Sequence, residues 1–153
     1  MKMLVQRVKN AKVSVEGKTT GEIEQGFLVL LGIAPEDTQE IMEKMVDKLL
    51  RLRIFSDEND KINLSLSDVG GSLLLVSQFT LYADCRKGNR PSFVHAAPPA
   101  QAEALYESCK AYCRERVPVV ESGIFGADMQ VSLVNEGPCT IVIDTDEWHK
   151  GEK

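Results

Sequence analysis

The sequence predicts a single α/β domain of mostly antiparallel, barrel-like strands with two helices packed on one side, in β/β/α layers. Three observations carry this. The opening third (MLVQRVKNAKVSV, KTTGEIE and GFLVLLGI) is strand-like throughout. Only two later stretches switch to a helical period, and strand-like sequence resumes after each of them. The resulting order of strands, helix, strand, helix, strands fits helices laid over a sheet system.

Each element has its own signal. Glu16-Gly17 marks the first turn, and GFLVLLGI is a continuous apolar run suited to a buried central strand. In PEDTQEIMEKMVDKLLRLRIF, the residues Ile41, Met42, Met45, Val46, Leu49 and Leu50 fall on one helical stripe, and Asp37 with Glu40 resembles a capping box. SDENDKINLSLSDVGG reads as a polar connector with at most a short strand, closed by a turn at Gly70-Gly71. SLLLVSQF is a second buried strand, and TLYADCRKGNRPSF is a long loop. PPAQAEALYESCKAYCRERV is the second helix, with Leu105, Cys109, Tyr112 and Cys113 on one face. The closing strands lie in VVESGIFGADMQVSLVNEGPCTIVIDT. The polar tail, about 146–153, is expected to fray.

One domain, residues 1–153, suits a chain of this length. Lys2, Arg7 and Lys9 in the first ten residues leave no apolar stretch for a signal peptide, and no segment approaches a membrane span. A soluble, cytoplasmic protein without a membrane partner is expected. The four cysteines show no secreted spacing and read as reduced thiols. A net charge of −5 gives no global attraction to nucleic acid, so such a partner requires a local basic patch.

The common catalytic signatures are missing. Cys109 and Cys113 lie four apart on an apolar helix face, which favours core packing over a metal site. Cys139 as a nucleophile needs a base, and the histidines are His95 and His149, the latter in the tail. No G-x-S-x-G elbow, P-loop or metal motif is present, and no cofactor is implied. Two polar interruptions of apolar strands remain: Ser77-Gln78-Phe79-Thr80 and Asn135 to Thr140. Polar side chains at the end of a buried strand find partners or line a site. Gly137-Pro138, between DMQVSLV and TIVIDT, reads on motif grounds as a hairpin turn, or else as backbone held in a special shape.

The stretches SQFTLYAD, KGNRPSF, GIFGADMQVSLVNEGPCT and IVIDT, together with QRVKNAKVSVEGK, strongly resemble the D-aminoacyl-tRNA deacylase family. Its signatures SQxT and NxGPxT stand here as Ser77–Thr80 and Asn135–Thr140. The resemblance implies a homodimeric tRNA-editing hydrolase that cleaves the ester of D-aminoacyl-tRNA, or of glycine on alanine tRNA, and spares L-aminoacyl-tRNA. It implies a cis Gly137-Pro138 bond whose carbonyls enter the partner subunit's site as a chiral filter, with Asn135 and Thr140 alongside. Ser77, Gln78, Phe79 and Thr80 are then the catalytic stretch, a cradle for the oxyanion. Thr80 could instead be a nucleophile, though no adjacent base is visible. Phe125 and Met129 would line the pocket, and Arg7 would support the Gly-Pro loop. Arg86, Lys87 and Arg90 are the candidate tRNA contacts at the acceptor end. Two alternatives remain: an editing esterase of different stereospecificity, and a non-catalytic module binding aminoacyl-tRNA or a D-amino acid.

Overall fold

The sheet is assembled on its first strand, β1 (Lys2–Val15). A computed structural model describes residues 1–148 of the chain. Along one edge β1 pairs antiparallel with the last strand of the molecule, from Lys2 opposite Asp144 to Ser14 opposite Gln130. Its other edge is shared: Ala11–Val15 meet β2 (Lys18–Ile23), and Lys2–Val8 meet β3 (Gly26–Gly32). Helix α1 (Gln39–Arg51) and the short strands β4 (Phe55–Ser56) and β5 (Ile62–Leu64) follow. Next come β6 (Ser72–Ser77), α2 (Pro99–Arg114), β7 (Val120–Ser122) and β8 (Gln130–Asp144). β3 with β6 and β6 with β7 are parallel pairs, which need long crossovers, and α1 and α2 lie in those two connections. The predicted antiparallel pairing thus holds for three of the five pairs in a mixed main sheet.

The sheet is nearly a closed barrel. Thr20 Oγ1 of β2 donates to Ser122 O of β7 at 3.4 Å, and a Cβ at Gly21 would lie 2.8 Å from that carbonyl. The close approach therefore needs glycine.

Alternating residues of the central strands feed two cores. Phe27, Val29 and Leu31 of β3 and Leu73 and Leu75 of β6 face the helices, with Met42, Met45, Val46 and Leu49 of α1 and Tyr106, Cys109 and Cys113 of α2. Leu28, Leu74 and Val76 point the other way, into the barrel. β1 serves both: Met3 and Val5 reach the helix side, whereas Val8, Ala11 and Val13 reach the barrel side. A period of two cannot place Val8 and Ala11 on one face. The register shift between Val8 and Asn10 supplies the extra residue that does so.

Four expectations need correcting. The N-cap of α1 is Thr38, whose hydroxyl accepts from Ile41 N at 3.2 Å, so Asp37 and Glu40 form no capping box. Asp37 is instead buried, accepting from the Met1 ammonium at 2.9 Å and from Ala34 N at 2.8 Å, because a charge taken from water requires a counter-charge. Gly137-Pro138 makes no hairpin, since β8 passes through it as one strand. Phe55, read with the helical stretch, instead opens β4, which pairs with β5, the short strand of the connector. The start of the tail is docked: Thr145 Oγ1 accepts from the Met1 ammonium at 2.8 Å, and Trp148 packs against the helix-side core. The rest of the tail, His149 included, lies outside the described residues. Cys109 and Cys113 are fully buried, as core packing requires.

Candidate functional site

The end of β6 opens the site. Ser77 finishes the strand, Gln78 N still donates to Leu31 O at 2.8 Å, and the chain then tightens into a 3-10 turn, Phe79–Tyr82. The turn's bonding begins with Leu81 N to Gln78 O at 3.3 Å. The amides of Phe79 and Thr80 precede that first bond, so the turn itself gives them no acceptor. They are the donors a developing negative charge can use.

A cavity of about 700 Å³ lies beside this turn. Ser77, Gln78, Phe79, Phe125 and Met129 line it, and the sequence had singled out all five. Phe125 is steadied by Tyr106, with ring centroids 6.0 Å apart; burial pushes the Tyr106 phenol above its ordinary pKa, and its hydroxyl donates to Leu75 O at 2.9 Å. Thr80 is exposed and is not among the cavity-lining residues, and its hydroxyl accepts from Gln78 Nε2. None of the cavity's lining residues among those described is ionisable. A hydroxyl nucleophile needs a base within hydrogen-bond reach, and none touches Thr80 among the described residues. What the cavity offers is an apolar container with backbone donors at one end.

Sequence reasoning missed much of the wall. Phe93, Val94, Ala97, Pro98 and Ala102 come from the loop after the 3-10 turn and from the start of α2. Phe93 packs edge-on against Phe79 at 5.1 Å. Val94 is 76% exposed, and such apolar residues in a stretch with neither helical nor strand period were the available signal.

The second motif sits elsewhere. Asn135, Gly137, Pro138 and Thr140 are not among the cavity-lining residues. On β1, Gln6 pairs with Thr140 and Val8 with Asn135, so the four residues between those two on β8 bulge opposite the single residue Arg7. Arg7 grips this bulge. Its Nε and Nη2 donate to Glu136 O at 3.0 and 2.8 Å, and Nη1 donates to Ile54 O at 2.5 Å. Asn135 braces the bulge from within, with Oδ1 accepting from Cys139 N at 2.7 Å and Nδ2 donating to Thr140 Oγ1 at 2.7 Å. The Gly137-Pro138 bond is cis, and both residues are exposed. Gly137 has φ +125°, and a Cβ there would lie 2.6 Å from Arg7 Nη2. Asn135 and Thr140 thus spend their polar atoms on each other and on the backbone.

Arg86, Lys87 and Arg90 are exposed on the loop that also supplies Phe93 and Val94. Arg86 is already paired, its guanidinium meeting Asp84 at 2.7 Å. Hydrogen bonds from the Arg86 side chain and amide hold the Asp84 carboxyl well below the usual carboxylate range. Lys87 and Arg90 have no ion-pair partner among the described residues.

A family model described as D-Tyr-tRNA(Tyr) deacylase matches residues 4–144. A D-aminoacyl-tRNA deacylase of Thermosipho africanus is 57% identical over 145 residues, covering 95% of this chain and 97% of the relative. One of Herpetosiphon aurantiacus is 53% identical over 151 residues, covering 99% of each. Among solved structures, a c-Myc DNA Unwinding Element Binding Protein superposes with a TM-score of 0.89 at 46% identity, covering 94% of this chain and 98% of that one.

Proposed function

Since the chain belongs to the D-Tyr-tRNA(Tyr) deacylase family, we propose that it hydrolyses D-aminoacyl-tRNA, and glycine mischarged on alanine tRNA, through sites each built from two copies of the chain. The acyl ester enters the cavity with its carbonyl oxygen toward the Phe79 and Thr80 amides. Water adds to the carbonyl carbon, the amides stabilise the oxyanion, and collapse breaks the acyl C–O bond while a proton of the added water passes to the departing ribose oxygen, giving free amino acid and tRNA. One such donor is typically worth about 10²–10³ in rate. With no ionisable side chain in the cavity wall among the described residues, the vicinal ribose hydroxyl of the substrate positions the attacking water.

Selectivity comes from the bulge of the second copy. Gly137 and Pro138 are exposed and do not line their own chain's cavity, and Arg7 and Asn135 hold them in one shape. Placed over a partner's cavity, this backbone surface holds the amino group of any D-residue and collides with an L side chain. Glycine, lacking a side chain, is not excluded by that collision. The work of such an enzyme lies in the cytoplasm, where charged tRNA circulates.

The observation that supports this reading best is the split between an uncharged, donor-tipped cavity and an exposed, braced glycine-proline bulge that does not line it. The experiment is deacylation of one tRNA charged with D-tyrosine or with L-tyrosine, timed with and without protein. Rapid loss of the D-ester alone is expected. Loss of both would remove the chiral reading, and loss of neither, with measurable tRNA binding, would replace the hydrolase by a binding module.

A further inference from the structure

The outer face of α1 carries a second cleft that the reaction does not use. It has a volume of about 340 Å³ and is lined by Lys44, Asp47, Lys48, Arg51, Leu52 and Trp148. Two of its charges are engaged. Lys44 pairs with Glu40 at 3.2 Å, and Asp47 accepts from the Tyr112 hydroxyl at 2.9 Å with Arg116 4.0 Å away. Lys48 and Arg51 are exposed and have no ion-pair partner among the described residues. Trp148, the chain's single tryptophan, packs against the core after the 3-10 turn Thr145–Glu147, which fixes its indole as one wall.

We propose that this cleft is a second docking site for the RNA of the substrate, in which Lys48 and Arg51 meet backbone phosphates of the acceptor arm beside Trp148. The inference rests on the tRNA-hydrolase reading above. Its first support is charge: the chain carries −5 overall, so attraction to a polyanion must come from local groups of unpaired cations. Lys48 and Arg51 supply two such cations on one exposed helix face. The second support is position. The segment leading into α1 is tied to the cavity wall, since Ala97 N donates to Ile33 O at 2.9 Å, both residues line the cavity, and Gln101 Nε2 donates to Pro35 O at 2.6 Å. At about 1.5 Å per residue, Lys48 and Arg51 stand roughly 14 and 18 Å beyond Gln39 along the helix. An acceptor arm with its terminal nucleotide in the cavity can lie along that helix.

A rival account needs no ligand, because lysine and arginine in a last helical turn complement the helix dipole. The two separate experimentally. The variants are the double substitution Lys48→Ala with Arg51→Ala and its charge-reversed form, Lys48→Glu with Arg51→Glu; the substrates are D-tyrosyl-tRNA and the short ester D-tyrosyl-CCA. Expected for the alanine pair on tRNA is a KM raised roughly tenfold at low salt and an unchanged kcat, with the log–log salt slope flattened by about 1.4–1.8 for two lost phosphate contacts. The glutamate pair raises KM further, and both variants match the parent on the short ester. A salt slope and KM equal to the parent's on tRNA would overturn the proposal while leaving the hydrolase intact. An equal loss on both substrates would overturn it in favour of a structural role. A parent protein inert toward both esters would overturn it together with the reading on which it rests.

Discussion

Gly137→Ala concentrates the argument about the bulge in one methyl group. The residue sits at φ +125°, a region where an L side chain is strained by about 1–3 kcal/mol. The new Cβ would also stand 2.6 Å from Arg7 Nη2, well inside contact distance. The chain has two escapes. Either the guanidinium swings away and loses its two bonds to Glu136 O, each charge-assisted and worth about 1.5–3 kcal/mol, or the bulge itself moves. Both change the shape that Gly137 and Pro138 present. The strand pairing on either side, Lys2–Gln6 with Thr140–Asp144 and Val8–Ser14 with Gln130–Asn135, is not touched, so the cost to global stability is confined to the bulge: about 1–3 kcal/mol of strain where the backbone gives way, and several kcal/mol more where the guanidinium lets go. A disturbance of about 2 kcal/mol expressed in the transition state slows D-tyrosyl-tRNA hydrolysis roughly 30-fold. The assay is single-turnover deacylation of D- and L-tyrosyl-tRNA beside a urea melt. Full D-activity with an unchanged D/L ratio, in a protein as stable as the parent, would refute the assignment of the bulge as a selective surface.

Three further outcomes follow from the same geometry. Thr80→Ala keeps activity within about tenfold of the parent, because Gln78 is its hydroxyl's one partner among the described residues; a loss of 10⁴ or more in single-turnover rate would make it a nucleophile after all. The rate constant for D-ester hydrolysis plotted between pH 5 and 8 shows no bell, because no lining residue among those described titrates; a bell-shaped profile would reveal an acid–base pair at the site. Asp37→Ala leaves the Met1 ammonium buried with Thr145 Oγ1 as its remaining side-chain partner, so denaturant titration records a loss of about 3–5 kcal/mol, and a loss under 1 kcal/mol would show that water reaches the ammonium.

The layers were legible because burial writes its period into the chain. GFLVLLGI and SLLLVSQF are apolar at consecutive positions, and the strands they form are buried on both faces. Met42, Met45, Val46 and Leu49 repeat at helical spacing and are buried. Charge partners across the fold leave no such trace. Asp37 was read as part of a helix cap because Glu40 lies three residues on, yet its counter-charge is the ammonium of Met1, 36 positions away. Glycine followed by proline is a turn signal locally, and only the pairing of Arg7 with the Asn135–Thr140 bulge shows that the strand continues through it. Ser77–Phe79 were visible as polarity at a strand end, whereas Phe93 and Val94 stand out only as apolar residues in a loop, where no period says what they face.

If cavity and bulge belong to different copies, two crippled proteins should rescue each other, and the yield is fixed in advance. Gly137→Ala spoils the bulge and leaves the cavity. For the reverse, Phe79→Pro removes one of the two candidate cradle amides at the first residue of the 3-10 turn, where the N–H has no partner within the turn to lose. The loss expected of a single donor is about 10²–10³ in rate. Subunits unfolded together and refolded at equal concentration pair at random, so about half the dimers are mixed. In each mixed dimer one site combines an intact cavity from the Gly137→Ala copy with an intact bulge from the Phe79→Pro copy, and the other site has both defects. D-tyrosyl-tRNA hydrolysis therefore recovers to about one quarter of the parental rate, far above either variant alone. If each chain completed its own site, every site in the mixture would carry one defect and no recovery would occur. Recovery near one quarter therefore requires sites shared between chains, and activity that stays at the average of the two variants would refute them.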